Sequence, residues 1–404
     1  MCGLCLPVCP TYAIAREEGE SPRGRISLIQ AYHLGQLEPS EKLFGHLDRC
    51  LLCRACESAC PSQVPFAKIM DVARDSLEKH RSRSAIGRLK RNMGLKLVRQ
   101  PRLMKLAGRA LDLYLRLPAQ SLRPLPAHLA EQAKTLPTWH PPRLAVAGPR
   151  AGYIPPLGKK IADIALFKGC VNGVLDGSTQ DAAIELIRSL GYGIYLPRNQ
   201  DCCGAMHQHN GASGMAAELA QANLSAFGSV PVKQIVFLAT GCGIQLLDYP
   251  RVVATDDKTA AQAYRFSDKC VDICEFLALA EGWERIQLKR LEKEVAVHEP
   301  CSHRNVLGGT DHIYALAKMV PGITAVPLQD NETCCGSAGT YLLSQPEIST
   351  MLLTRKVDAI EECGCRIILS TNVGCALHMK TGCPEGVEVL HPVELVARQL
   401  PPAI

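Results

Sequence analysis

Apolar residues recur along this chain with three rhythms, and each predicts a different architecture. In the first 75 residues, Arg25 to Gln36 and Pro39 to Leu47 read as short helices between loops. From 66 to 117 the period is helical. Ile86, Leu89, Met93 and Leu97 fall on one face, and Leu103, Leu106, Ala110, Leu113 and Leu117 repeat the pattern beyond Pro101, with basic residues filling the other face. Residues 118–160 keep no period and hold nine prolines, from Pro118 to Pro156, which reads as a linker or wrapping segment.

From about residue 161 the chain repeats itself. The first copy runs from a strand, Ile161 to Phe167, to Cys170. A helix follows, with Ser178 as its expected N-cap and Gly191 as its stop. Next come a strand (Ile194 to Leu196), Cys202-Cys203-Gly204, a helix near 213–227, a strand (Ile235 to Ala239) and Cys242. The second copy has the strand Val295 to His298, Cys301, a helix near 311–320, the strand Ile323 to Val326 and Cys334-Cys335-Gly336. It continues with a helix from Ser344, the strand Arg366 to Leu369 and Cys375. Ser344 and Glu347 have capping-box spacing. Between the cysteines lie 31 and 38 residues in copy one, 32 and 39 in copy two. Alternating strands and helices imply largely parallel α/β units whose cysteines sit at strand carboxyl ends, where open sheets place ligands, with the two copies facing each other. The expected units are 1–75, 76–160, 161–285 and 286–404.

The cysteines change the picture most. Cys50, Cys53, Cys56 and Cys60 followed by Pro61 have the C-x2-C-x2-C-x3-C-P spacing that holds iron–sulfur clusters. Cys2, Cys5 and Cys9 followed by Pro10 form a second run, one cysteine short. In such pairs the last cysteine of each run serves the other cluster. Cys50, Cys53, Cys56 and Cys9 are therefore expected on one cluster, and Cys2, Cys5 and Cys60 on the other. The missing sulfur is expected upstream of Met1; a three-iron cluster, a non-cysteine ligand or loss of that cluster are the alternatives. A zinc knot would use two C-x2-C pairs instead. Forty residues separate Cys9 from Cys50, which favours a helical ferredoxin-like unit over a compact β-type one.

One Cys-Cys-Gly would fit inert buried thiols, which pack as small hydrophobes; two with matched spacing point to metal, with thiol redox chemistry as the main alternative. The candidate ligands are Cys170, Cys202, Cys203 and Cys242, then Cys301, Cys334, Cys335 and Cys375. The glycine permits a positive φ, and hence a turn that aims both sulfurs inward. His298 and His303 flank Cys301 as lesser candidates, since a histidine near a strand end is more often structural. Cys270, Cys274, Cys363, Cys365 and Cys383 lie outside the repeat.

Composition narrows the class. The chain has 404 residues, 47% of them apolar, and 20 cysteines in ligand-like spacing, with no charged-then-apolar leader at its start. A reducing, cytoplasmic setting is expected, with peripheral contact at the cytoplasmic face of the inner membrane as a further expectation. Net charge is +6, but residues 79–125 carry thirteen Lys/Arg against Asp112 alone, +12 in that segment. A solvated face, an acidic partner and an anionic membrane surface all fit. Nucleic acid does not, because Tyr114 is the segment's single aromatic residue. There is no P-loop, dinucleotide fingerprint or nucleophile elbow, so electron transfer without a catalytic residue is the expected role.

Taken in order, "CGLCLPVCPTY", "SPRGRISLI", "HLDRCLLCRACESACPS", "DCCGA", "ATGCG", "CCGSAGTY" and "TNVGC" resemble the iron–sulfur subunit of bacterial glycolate oxidase over nearly the whole chain. The resemblance implies an α-helical ferredoxin domain followed by two repeated α/β CCG (cysteine-rich) domains. It implies two [4Fe-4S] clusters, FAD-containing partner subunits that oxidise glycolate to glyoxylate, and a quinone or other electron acceptor. A further cluster or zinc in the CCG domains is expected. These domains also look like those of heterodisulfide reductase and of the anaerobic glycerol-3-phosphate dehydrogenase small subunit. In heterodisulfide reductase each ends in Cys-x-x-Cys; here Gln245 and His378 stand at the last position. The alternatives are a lactate or glycerol-3-phosphate system, a disulfide-reducing enzyme with catalytic CCG sites, and a zinc-bearing scaffold.

Overall fold

The computed structural model describes residues 2–100, 103, 104, 106, 107, 109, 110, 113, 152–253 and 256–401. Most of the proline-rich stretch, together with Asp112 and Tyr114, lies outside the described residues.

The N-terminal unit is helical. Its helices span Pro10–Ala15, Pro22–His33, Glu41–Asp48, Ala55–Ser58 and Phe66–Glu78. Each of the first two begins with a proline at N1, where its missing N–H costs nothing. Ser21 and Ser40 cap the second and third helices through the N–H groups of Gly24 and Leu43. Ile29, Leu43, Phe44, Leu47, Phe66 and Met70 close a small core directly behind Cys50.

Two sheets follow. The first comprises β1 (Gly152–Ile154), β2 (Ala162–Phe167), β3 (Tyr192–Leu196), β4 (Ile235–Phe237) and β5 (Cys270–Asp272), in the order β1-β3-β2-β4-β5. The second comprises β6 (Lys293–His298), β7 (Ile323–Pro327), β8 (Ile367–Ser370) and β9 (Glu388–Leu390), in the order β7-β6-β8-β9. All pairings are parallel except β1 with β3. The α/β repeat is therefore present, with the same strand order in both copies. The first copy adds an antiparallel edge, drawn from the proline-rich stretch, that sequence periodicity does not reveal. In each sheet the chain leaves the central strand first to one side and then to the other. That switch point opens a crevice at the carboxyl ends.

Two expected caps are displaced. After β2 and a short helix, Asn172–Leu175, the long helix Gly177–Ser189 begins with Asp176 at its N-cap, so Ser178 lies inside its first turn. Ser344 ends the short helix Tyr341–Ser344 and bonds the Tyr341 carbonyl; Gln345 precedes the helix Pro346–Cys363, and no capping box forms there. The local signal was present, but the preceding turn captured the serine first.

The copies share one core. Ile164, Leu186, Leu196 and Leu277 of the first pack with Leu316, Val320, Val393 and Val396 of the second. At the seam, the Thr179 hydroxyl lies 2.8 Å from Asp176 Oδ2 and 2.9 Å from Glu394 Oε1. A hydroxyl has one proton to give, so the two buried acids share a single donor, and a proton bound to Asp176 relieves the contact. Burial, and then the Glu394 charge, push Asp176 up to about 6; Lys380, Thr179 and Ser178 pull the other way. The folded chain thus holds this proton more tightly than the unfolded one. The stabilisation is complete below about pH 4 and is lost as pH rises through about 6. Asp176→Asn keeps the acceptor oxygen and removes the charge. It is expected to raise unfolding stability by about 2 kcal/mol above neutral pH and to change little in acid, read from denaturation midpoints across pH.

Candidate metal centre

The cluster loop 50–56 is built around two left-handed non-glycine residues, Leu52 (φ 52°) and Arg54 (φ 60°). For branched or long side chains this conformation costs about 1–2 kcal/mol each. It turns backbone N–H groups toward the sulfurs, as in the concave amide nests that bind anions. Leu52 N lies 3.4 Å from Cys50 Sγ. Arg54 is held in place by its ion pair with Glu57, whose other oxygen takes the Ala67 N–H at 2.6 Å.

Cys9, from the other run, meets this loop. Cys9, Cys50, Cys53 and Cys56 line one small cavity beneath Leu51 and Phe66. Burial first, then the neighbouring Cys50 and Cys9, push the Cys56 thiol far up; Cys53 is raised by burial and then by Cys301. Cys2 is exposed, while Cys5 and Cys60 are partly covered. Cys5 is raised by burial, against backbone N–H groups and Arg23.

Sequence reasoning missed what positions Cys9. The PRGR segment ends in Arg25, 1% exposed. Its guanidinium donates to the His46 carbonyl (2.7 Å), Thr11 Oγ1 (3.0 Å), the Glu20 carbonyl (2.5 Å) and Glu20 Oε2 (2.7 Å). Glu20 also pairs with His46 and Arg49. Thr11 Oγ1 and the Glu20 carbonyl are the same atoms that Cys9 Sγ touches, at 3.4 and 3.7 Å. Gly24 must be glycine, because a Cβ there would collide with the Glu18 carbonyl. Glu17, Glu20 and His46 lie close enough to hold a metal ion, but Glu20 already has three cationic or imidazole partners, and the group is an ion-pair network.

In both CCG copies the cysteines converge from three loops. Cys170 Sγ and Cys202 Sγ are 3.3 Å apart; Cys301 and Cys334 are 3.9 Å apart, and Cys335 and Cys375 2.9 Å. Cys203 and Cys242 are likewise paired. Gly204 (φ 92°) and Gly336 (φ 86°) make the expected turn. A Cβ on Gly336 would come within 2.7 Å of the Ser349 carbonyl. Gly204 N lies 3.5 Å from Cys202 Sγ, and Asn372 Nδ2 donates to Cys375 Sγ at 3.3 Å. Cys242 and Cys375 sit in the first turns of Thr240–Leu247 and Val373–Gly382, just past β4 and β8.

The two sites are neighbours. Thr240 Oγ1 bonds Ser302 Oγ at 2.6 Å, and Thr240 N reaches the Thr371 carbonyl at 3.3 Å. All eight CCG cysteines, with Cys50 and Cys53, line one cavity of about 500 Å³ between the helical unit and the sheets. Cys53 and Cys301 pack against the cluster that contains Cys334, and the Cys53 carbonyl accepts from Asn305 Nδ2 at 2.9 Å. The Tyr341 hydroxyl, just past Cys334 and Cys335, reaches the Arg49 carbonyl at 3.0 Å. The first copy holds the helical unit through ions: Arg251 with Asp71 at 2.9 Å, and Arg74 with the His209 carbonyl at 2.9 Å.

The lesser candidates resolve as structural. His298 and His303 are buried and bond Ser370 and Thr371 hydroxyls at 3.0 Å each; burial pushes them down to about 3 and about 4. Cys274 and Cys365 are buried core residues, Cys363 ends a helix and Cys383 packs at the edge of the second core. Gln245 lines the cavity, and its Nε2 has no hydrogen-bond partner among the described residues. His378 Nε2 meets Ser349 Oγ at 3.2 Å.

Four sulfurs per site, 2.9–3.9 Å between the measured pairs and with amide donors on the sulfur side, suit a thiolate-bound metal or cluster. Comparison with known proteins agrees. The 4Fe-4S dicluster domain matches residues 1–64, and the Cysteine-rich domain matches residues 164–247 and 295–380. The probable glycolate oxidase iron-sulfur subunit of Bacillus subtilis (strain 168) is 32% identical, over 94% of this chain and 87% of its own length. The chain belongs to the glycolate oxidase iron–sulfur subunit family. The Escherichia coli (strain K12) glycolate oxidase iron-sulfur subunit is 31% identical over 99% of this chain and 93% of its own. A lactate utilization protein A from Exiguobacterium sp. is 25% identical over 58% of this chain. The family assignment, the helical dicluster unit and the twin CCG domains agree with the reading of the sequence.

Proposed function

We propose that this chain is the electron-transfer subunit of a complex that oxidises glycolate to glyoxylate on an FAD-containing partner and delivers the electrons to a quinone-type acceptor. Cys9, Cys50, Cys53 and Cys56 hold one [4Fe-4S] cluster. Cys2, Cys5 and Cys60 supply the second. Cys170, Cys202, Cys203 and Cys242, and their counterparts Cys301, Cys334, Cys335 and Cys375, hold a further cluster or zinc. A cluster bound in these loops supplies single-electron exchange. The chain's own residues exclude water, present amide donors to sulfur and fix the sites side by side. Peripheral contact with the membrane completes the proposal. Among the described residues no helix is long and apolar enough to cross one.

One observation carries this reading: cysteines of the helical unit and of both CCG domains line a single cavity, with Cys53 and Cys301 packed against the same cluster around Cys334. A disulfide-reducing role fits less well. Heterodisulfide reductase ends each CCG domain in Cys-x-x-Cys, and Gln245 and His378 stand at that last position here. Lactate remains the second substrate reading, supported by the lactate utilization relatives.

Protein purified anaerobically is expected to be brown, to contain iron and sulfide, and to give reduced-state EPR signals. Added to its flavoprotein partners, it should be required for glycolate-dependent reduction of a quinone analogue. Turnover of glycolate by the isolated chain, or a colourless zinc-only preparation, would overturn the proposal.

A further inference from the structure

The helix Ala85–Val98 is turned the wrong way for a core element. Its one buried side chain is Leu95. The same side is pinned to the first CCG domain: the Leu95 carbonyl meets His207 Nε2 at 3.2 Å, Arg91 donates to the Asn210 carbonyl at 2.8 Å, and Arg99 pairs with Asp201 at 3.2 Å. At 100° per residue, Ile86, Leu89, Met93 and Leu97 project from the opposite side. Ile86, Leu89 and Met93 are 67%, 59% and 60% exposed. Lys90 and Lys96, both exposed, flank this ridge on its two sides. Beyond the helix, Leu103, Leu106 and Leu113 are exposed as well.

We infer that this ridge is a membrane-surface anchor, and that it lies in the headgroup layer of an anionic bilayer. A stripe of Ile, Leu and Met flanked by lysines is the pattern of an interfacial helix: the apolar side chains enter the acyl boundary and the lysine stems lie along it with their ammonium groups outward. Charge selects the lipid. Residues 79–125 carry thirteen Lys/Arg against one acid, while the remainder of the chain is net negative. Within the segment Arg81, Arg83, Arg91 and Arg99 are paired with Asp48, Glu78 and Asp201, so Lys90 and Lys96 beside the ridge are the cations that an anionic leaflet attracts there. The anchor goes beyond the relay reading and rests on it in one respect, since a quinone-type acceptor dissolves in the bilayer.

The test is sedimentation of the full chain, purified anaerobically, with vesicles of phosphatidylglycerol or phosphatidylcholine. Wild type should pellet with the first and not the second, with binding weakened by salt. Leu89→Glu/Met93→Glu alters only exposed side chains; it should lower the partition coefficient about a hundredfold or more, with iron content and circular dichroism unchanged. Lys90→Glu/Lys96→Glu should lower it about a hundredfold and flatten the salt dependence. Wild type left in the supernatant, or a Leu89→Glu/Met93→Glu variant that pellets like wild type, would overturn the inference. So would a variant that keeps vesicle binding but loses its flavoprotein partners, which would make the ridge a protein interface. Iron and EPR readings on the same samples report the relay proposal separately.

Discussion

Cys53→Ser is expected to lower glycolate-dependent electron delivery through this chain by at least about a hundredfold and to remove roughly one cluster's worth of iron. Serine keeps the size and loses the soft thiolate that iron prefers. The position matters doubly. Cys53 stands between the left-handed Leu52 and Arg54, and it packs, as Cys301 does, against the cluster that contains Cys334. The substitution should therefore disturb the second CCG domain's spectroscopic signal as well as the ferredoxin-like one. Cys270→Ser is the contrast. Cys270 is half-buried at the edge of the first copy's core, and its sulfur lies 3.4 Å from the Phe266 carbonyl. That variant should keep its iron and its rate. Metal analysis, EPR of the reduced protein and a reconstituted quinone-analogue assay read all three. Equal losses in both variants would mean that the damage comes from packing and not from ligation.

Arg25→Met is expected to destabilise the helical unit by about 3 kcal/mol, because it strips a buried carboxylate of one of its two arginines and leaves the His46 and Glu20 carbonyls without their donor. Glu20, itself 0% exposed, would keep His46 and Arg49 but lose the partner that also binds its carbonyl. The loss should reach the metal site, since Arg25 holds Thr11 and the Glu20 carbonyl, the two groups touching Cys9. Iron should fall with stability, and the cluster proposed on Cys9, Cys50, Cys53 and Cys56 should become the more easily bleached. The double variant Arg25→Met/Glu20→Gln removes the carboxylate's charge. It should recover at least about 1 kcal/mol, the coupling expected of directly bonded neighbours. Anaerobic denaturation with parallel iron assay measures both, and additivity of the two substitutions would refute the network.

Both predictions turn on residues of different legibility. Cys53 is readable at once, because metal ligands in a loop are a matter of short spacing. Arg25 is not, because its partners include His46, 21 residues away, and its meaning lies in burial. The helical period of Ile86, Leu89 and Met93 is equally plain in the sequence, yet periodicity alone cannot say whether an apolar face looks inward. Here it looks outward, since Leu95, Arg91 and Arg99 claim the contact with the first CCG domain. The strands β5 and β9 are three residues each, too short to leave a pattern. The Ser344 box failed because a short helical turn already used the serine.

Sequence alone determined the class of this protein: sulfur spacing, a doubled Cys-Cys-Gly unit and alternating strands and helices are local patterns, dictated by ligand reach and backbone period. Tertiary structure alone decided that the sulfur sites share one cavity, that Cys53 and Cys301 meet at one cluster, that Arg25 supports Cys9 and which helix face meets solvent. Such contacts join segments as much as 292 residues apart. Burial and charge pairing fix such contacts only once the separate units have packed against one another.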